Sequence, residues 1–126
     1  MKPWLNIIVL IVLAGGLRAD ETFSRTVQPF LKTYCVSCHG PDKQKGKIRV
    51  DQLKSTPRNR EEAKLWARML EAMAFGEMPS DSAEKFPTKA KARAVQDWIG
   101  GMLTQAGRAV EDKRDKEGYG NLVPHE

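Results

Sequence analysis

Cys35-Val36-Ser37-Cys38-His39 is the run in this chain whose residue types and spacing carry their own chemistry. Two cysteines three positions apart at a helical turn reach the two vinyl groups on one edge of a single porphyrin, forming one thioether each. The imidazole of the following residue then falls beneath the iron. C-x-x-C-H therefore reads as a site of covalent haem attachment. A redox dithiol would want a βαβ setting, which a sequence of helices and loops lacks. A zinc site needs four ligands, and only Cys35, Cys38, His39 and His125 exist, the last beside the terminus. A plain disulfide between Cys35 and Cys38 is the remaining alternative.

Haem iron held by His39 needs a second axial ligand or an open position. Met69, Met73 and Met102 fall on apolar helical faces, where methionine fills core. Met78 differs. It lies between Gly76-Glu77 and Pro79, and the proline biases it away from helical geometry, so its thioether can project sideways from an irregular loop. Met78 is the expected sixth ligand, with His125 as a terminal competitor. A thioether opposite His39 would favour ferrous iron and raise the potential.

Three helices are expected to position these residues. Phe23, Val27, Phe30 and Leu31 recur at i, i+4, i+7 and i+8, predicting a helix from Glu21 to Tyr34. Pro29 predicts a kink or a helix start within it. Phe30 and Tyr34 are expected near the porphyrin edge. From Gly40 to Arg60 the chain reads as loop, with Ile48 and Val50 extended and Leu53 as a further apolar anchor. A second helix runs from Glu61 to about Phe75, with Leu65, Met69, Leu70 and Met73 on one face, and Gly76 and Pro79 ending it. Thr88 is the expected N-cap of a third, carrying Val95, Trp98, Ile99, Met102 and Leu103. Gly100-Gly101 should weaken it where a backbone or a flat ligand edge comes close.

The first 19 of the 126 residues read as an export signal, with Lys2, the apolar run Ile7 to Leu13 and Ala19 as cleavage residue. The apolar stretch is too short for the roughly 30 Å of a bilayer core. Leu17 stands where a small residue is preferred, so an uncleaved tether is the alternative, and the only route to a membrane. Removing Lys2 and Arg18 takes the net charge from +5 to +3, a modest lysine excess rather than a nucleic-acid footprint. The expected organisation is a signal over 1–19, one domain over 20–107, and a charged linker or tail over 108–126.

Beyond the motif, the chain resembles the planctomycete-type cytochrome c domain within the class I cytochromes c. The resemblance is carried by Val27-Gln-Pro-Phe-Leu31, Cys35-Val-Ser-Cys-His-Gly-Pro41, Lys45-Gly-Lys-Ile-Arg-Val-Asp51, Gly76-Glu-Met-Pro79 and Asp97-Trp98-Ile99, in that order. Ser80 stands where members usually show a second proline. The resemblance implies a small all-α class I cytochrome c-like fold, three to four short helices with long loops around one haem. It implies haem c on Cys35 and Cys38, with His39 proximal and Met78 distal. Such domains usually front long exported proteins, so Gly118 to Glu126 reads as the start of a following segment; the alternative is the tail of a free-standing cytochrome.

Two functions remain open. One is one-electron transfer in the periplasm or another exported location, with Lys43, Lys45, Lys47 and Lys54 steering an acidic redox protein. The other is a catalytic or gas-sensing haem with a displaceable sixth ligand, against which stands the lack of a His or Arg in an obvious place beside Met78. Serine nucleophiles and phosphate loops are not found, so no enzyme chemistry is expected of the residues themselves.

Overall fold

The computed structural model describes residues 18–116, and side chains as far as residue 107. Residues 1–17 of the expected signal, the tail from residue 117 and His125 lie outside the described residues. Among those described, regular structure is helical apart from one antiparallel bridge between His39 and Gln44. The all-α expectation holds, with three helices: α1 (Gln28–Tyr34), α2 (Arg60–Ala74) and α3 (Lys89–Lys116). None is long and apolar enough to cross a membrane.

The kink expected at Pro29 takes a specific form. The chain is helical from residue 18, widens to a π-helical stretch at Phe23–Val27, and tightens again into α1. Proline has no N–H to give the preceding turn and its ring crowds that turn's carbonyl. The Gln28 N–H accordingly reaches back five residues to Phe23 O. Pro29 then occupies the first turn of α1, where a missing donor is harmless. Phe23, Val27, Phe30 and Leu31 are all buried, as their spacing predicts.

Helix α2 begins one residue before Glu61. Asn59 caps it, its Oδ1 accepting the Glu62 N–H at 2.9 Å. Glu62 reaches back to accept the Arg58 backbone N–H at 2.8 Å and the Arg58 guanidinium, satisfying a second donor at the helix start. Thr88 caps α3 as predicted, accepting the Lys91 N–H at 3.2 Å.

The longest interface joins α2 to α3, and the π-helical stretch also touches α3. Trp66 of α2 is fully buried there. Its ring centroid lies 5.5 Å from Trp98 and 6.5 Å from Phe23, in edge-on arrangements that favour the aromatic quadrupoles. Its indole Nε1 is buried without a hydrogen-bond partner, a cost of about 1–3 kcal/mol that the packing must offset. Val95 and Ile99 of α3, with Val50 and Leu53 of the loop, complete the core.

The third helix shows no break at its paired glycines. It runs unbroken through Gly100-Gly101 and on past residue 107 to Lys116. A Cβ built on either glycine meets nothing within 4 Å, so no backbone or neighbouring group presses there. The flanking residues are good helix formers, and an Arg93–Asp97 pair at 3.3 Å supports one exposed face.

Two carboxylates tie acid stability to this frame. Hydrogen bonds from the Arg58 side chain hold Glu62 below the usual glutamate range, and those from Arg49 do the same to Asp51. Because both folded values are lowered, each pair contributes stability that is complete above the unfolded pKa, about 4, and is lost as pH falls through the folded value. Glu62→Gln should therefore lower the urea midpoint at about pH 6, and the gap to the parent should shrink as pH falls below the unfolded value of about 4. A gap independent of pH would assign the loss to something other than the ion pair.

Candidate functional site

Helix α1 ends where the C-x-x-C-H motif begins, and the backbone winds the motif into a tight knot. Cys35 and Val36 both donate to Leu31 O, at 2.9 and 3.0 Å. Cys38 and His39 then both donate to Cys35 O, at 3.2 and 2.9 Å. The following loop is laced back onto it. Lys45 N–H donates to Cys38 O and Val50 N–H to His39 O, both at 2.9 Å, while Gly40 N–H donates to Lys43 O at 2.8 Å. Gly40 is buried against the knot, and a Cβ there would collide with the Val36 carbonyl oxygen and approach Val36 Cγ1 to 2.7 Å.

The lacing fixes one imidazole. His39 Nδ1 lies 2.9 Å from Lys45 O. A carbonyl only accepts, so Nδ1 carries the proton and the neutral ring keeps its lone pair on Nε2. The hydrogen bond thus selects the tautomer that a metal ligand needs.

Cys35 and His39 line a cavity of about 340 Å³. Ile48 and Val50 of the loop form a second side, and Leu65, Met69 and Met73 of α2 a third. Met69 and Met73 pack against the core as expected and also wall the cavity, while Trp66 on the same helix is fully buried in the core. Burial, and secondarily the neighbouring Cys38 thiol, push the Cys35 thiol up to about 11, so it stays a neutral thiol near pH 7. Cys38 is half-buried and free, one turn away, and does not line the cavity.

Met78 closes the ring of candidates. Gly76 adopts φ of 72° and ends α2 in a Schellman cap: Gly76 N–H donates to Met73 O at 3.2 Å and Glu77 N–H to Ala72 O at 2.8 Å. Met78 N–H shares Ala72 O at 3.2 Å. That reversal returns the chain to the cavity, which Met78 lines from a peptide that is cis to Pro79. The structure therefore gathers Cys35, His39 and Met78 around one space. Phe30 and Tyr34 are not part of it. They stack on each other at 4.9 Å and line a separate groove with Ala90 and Ala94 of α3.

One residue the sequence reading missed also lines this cavity. Arg68 stands on the wall with Met78, on the helix face that Leu65 and Met69 share with it. The i, i+3, i+4 spacing of 65, 68 and 69 was the signal that could have found it.

The site fits haem. Its donors are an imidazole with a free Nε2, the Met78 thioether and the Cys35 thiol, with the free Cys38 thiol one turn outside the cavity, a set suited to haem c. The walls are apolar, and beside the opening Phe75 is 75% exposed and Met78 44%, apolar surface without a partner. Comparison with known families points the same way: residues 35–82 match the model of the planctomycete cytochrome C family. That segment is similar to the planctomycete cytochrome C family. The match takes in the C-x-x-C-H motif, Lys45 to Asp51 and Gly76 to Pro79. No curated protein and no solved structure matches the chain. The likeness supports, at the coarse level, a haem-binding electron carrier, and the family's prosthetic group is haem c.

Two glycines of this segment, Gly40 and Gly76, make separable predictions. Gly40→Ala should cost about 1–3 kcal/mol through overpacking and loosen the attachment knot, lowering the yield of covalent haem. Gly76→Ala has free space around it, so its cost should be about 1 kcal/mol from the positive φ alone. It should leave attachment intact while weakening any signal that depends on Met78. Denaturant midpoints and haem absorbance of the two variants check both; equal losses of attachment would contradict the division.

Proposed function

We propose that the chain is an exported cytochrome that carries one electron at a time on a single haem c. Cys35 and Cys38 hold the group by thioethers, and His39 and Met78 ligate its iron. The observation that carries this reading is the convergence of Cys35, His39 and Met78 on one apolar cavity, with His39 Nδ1 committed to Lys45 O.

When bound, haem c supplies a ferric–ferrous couple. The chain supplies everything that tunes it. Lys45 O holds the imidazole plane and makes Nε2 a better donor. The Met78 sulfur, a soft ligand, favours the ferrous state. Ile48, Val50, Leu65 and Met69 keep water from the walls, which also disfavours the extra charge of the ferric form. With both axial positions filled, no coordination site is left for a substrate, so the task is electron exchange.

The exposed Lys43, Lys45, Lys47 and Lys54 are the proposed steering charges for an acidic redox protein. Export follows from the signal-like segment over 1–19, and the residues from 108 are proposed as a linker towards a further segment or as a tail. A second reading is a catalytic or gas-binding haem. What favours it is Arg68, a polar group in the cavity that Met78 lines, together with the exposure of Met78.

The deciding measurement is the absorption spectrum of the chain coexpressed with cytochrome c maturation machinery. The expected result is covalent haem with the weak far-red sulfur-to-ferric-iron band, lost in Met78→Ala. Covalent haem without that band in the parent puts the catalytic or sensing reading ahead. A colourless product, under conditions that mature a control cytochrome, rejects haem binding. Lysine-to-glutamate changes at 43, 45, 47 and 54 should slow reduction by an acidic partner and flatten its salt dependence. Unchanged rates would remove the steering role.

A further inference from the structure

We propose that Arg68 anchors the carboxylates of the bound haem c, an inference that rests on the haem reading above. Thioethers at Cys35 and Cys38 fix one edge of the porphyrin. Its two propionate side chains then emerge away from that edge and must meet a cation, a hydrogen-bond donor or water. Apart from His39, Arg68 is the one basic side chain lining the cavity.

Three observations point the same way. Arg68 makes no ion pair or side-chain hydrogen bond among the described residues, whereas Arg25, Arg49, Arg58 and Arg93 each hold a carboxylate. Its own acidic neighbours on the cavity, Glu71 and Glu77, do not take it up. They repel a second pair of carboxylates from their side and leave Arg68 as the favourable one. Finally, Arg68 is exposed, whereas Leu65, Met69 and Met73 of the same helix wall are half-buried and apolar. It therefore stands at the wet rim, where an ionised carboxylate keeps part of its hydration. A guanidinium presents paired N–H donors that match a carboxylate, which lysine cannot do.

This places a positive charge against the haem's own negative charges and stabilises the reduced state. In the holo-cytochrome, Arg68→Gln should lower the midpoint potential and Arg68→Glu should lower it further, with both shifts shrinking as salt is added. Arg68→Lys should retain most of the potential. The propionate bending mode in the resonance Raman spectrum should move in Arg68→Gln, while the axial-ligand bands stay where they are. A role confined to packing would not order the potentials by charge. Parent-like potentials and an unmoved propionate mode in the Gln and Glu variants would overturn the assignment. A potential shift without the Raman change would also overturn it, since the charge would then act at a distance. A chain that takes up no haem would overturn the haem reading and this assignment with it, an outcome distinguishable by eye from the other two.

Discussion

The hydrogen bond between His39 Nδ1 and Lys45 O is the constraint around which the site is arranged. To place that carbonyl, the chain must leave the motif, turn, and come back within six residues. Lys45 N–H anchors to Cys38 O on the way, and Gly46 and Lys47 both take positive φ, 63° and 58°, to make the reversal. Only glycine does this at little cost, so Lys47 carries a strain that the lacing must overcome. The same turn delivers Ile48 and Val50 to the cavity wall. Orientation of the imidazole and construction of a wall are one event in the backbone.

The far side of the cavity is built by a different device, a helix end. Helix α2 contributes its wall through side chains, then reverses at Gly76 so that Met78 follows within two residues. The helix is itself well founded: Asn59 and Glu62 satisfy its first donors, and Trp66 locks it to α3. The wall that α2 offers the cavity packs against the core on one side and, among the described residues, faces open space on the other. A group occupying that space would extend a core that is small for this length of chain. Binding and folding are in this way parts of one balance.

What was legible in the sequence was local. C-x-x-C-H, the Thr88 cap, the Gly76 stop and the face formed by Phe23, Val27, Phe30 and Leu31 all depend on residues a few positions apart. The misreadings came from rotation and distance. One apolar stripe was assigned to α2, yet the helix has two uses: Leu65, Met69 and Met73 face the cavity while Trp66 faces α3. Phe30 and Tyr34 were placed at the porphyrin edge because they precede Cys35, but sequence proximity does not fix which way a side chain points once a π-helical stretch has changed the register. Gly100-Gly101 looked like a weakness, and a helix with open space beside it bridges both. Arg68 was passed over because a lone charge on a helix reads as solvated surface until its neighbours are known.

The two sides of the site differ in how firmly they are held, and that difference bears on function. The His39 side is closed by several separate backbone hydrogen bonds from the motif and its loop. On the Met78 side, Glu77 and Met78 N–H share a single acceptor, Ala72 O, and the Met78 side chain remains partly in solvent. The motif shares acceptors too, Leu31 O and Cys35 O taking two donors each, but its loop adds separate bonds from Lys45 N–H to Cys38 O, Val50 N–H to His39 O and the His39 ring to Lys45 O. Any loosening of the cytochrome should begin at the end of α2, with His39 still in place. An electron carrier needs that end shut so that its ligands change little between oxidation states. A sensing or catalytic haem needs it to open. The fold therefore carries the choice between the two functions in the stability of one helix cap, and the chemistry of attachment is common to both.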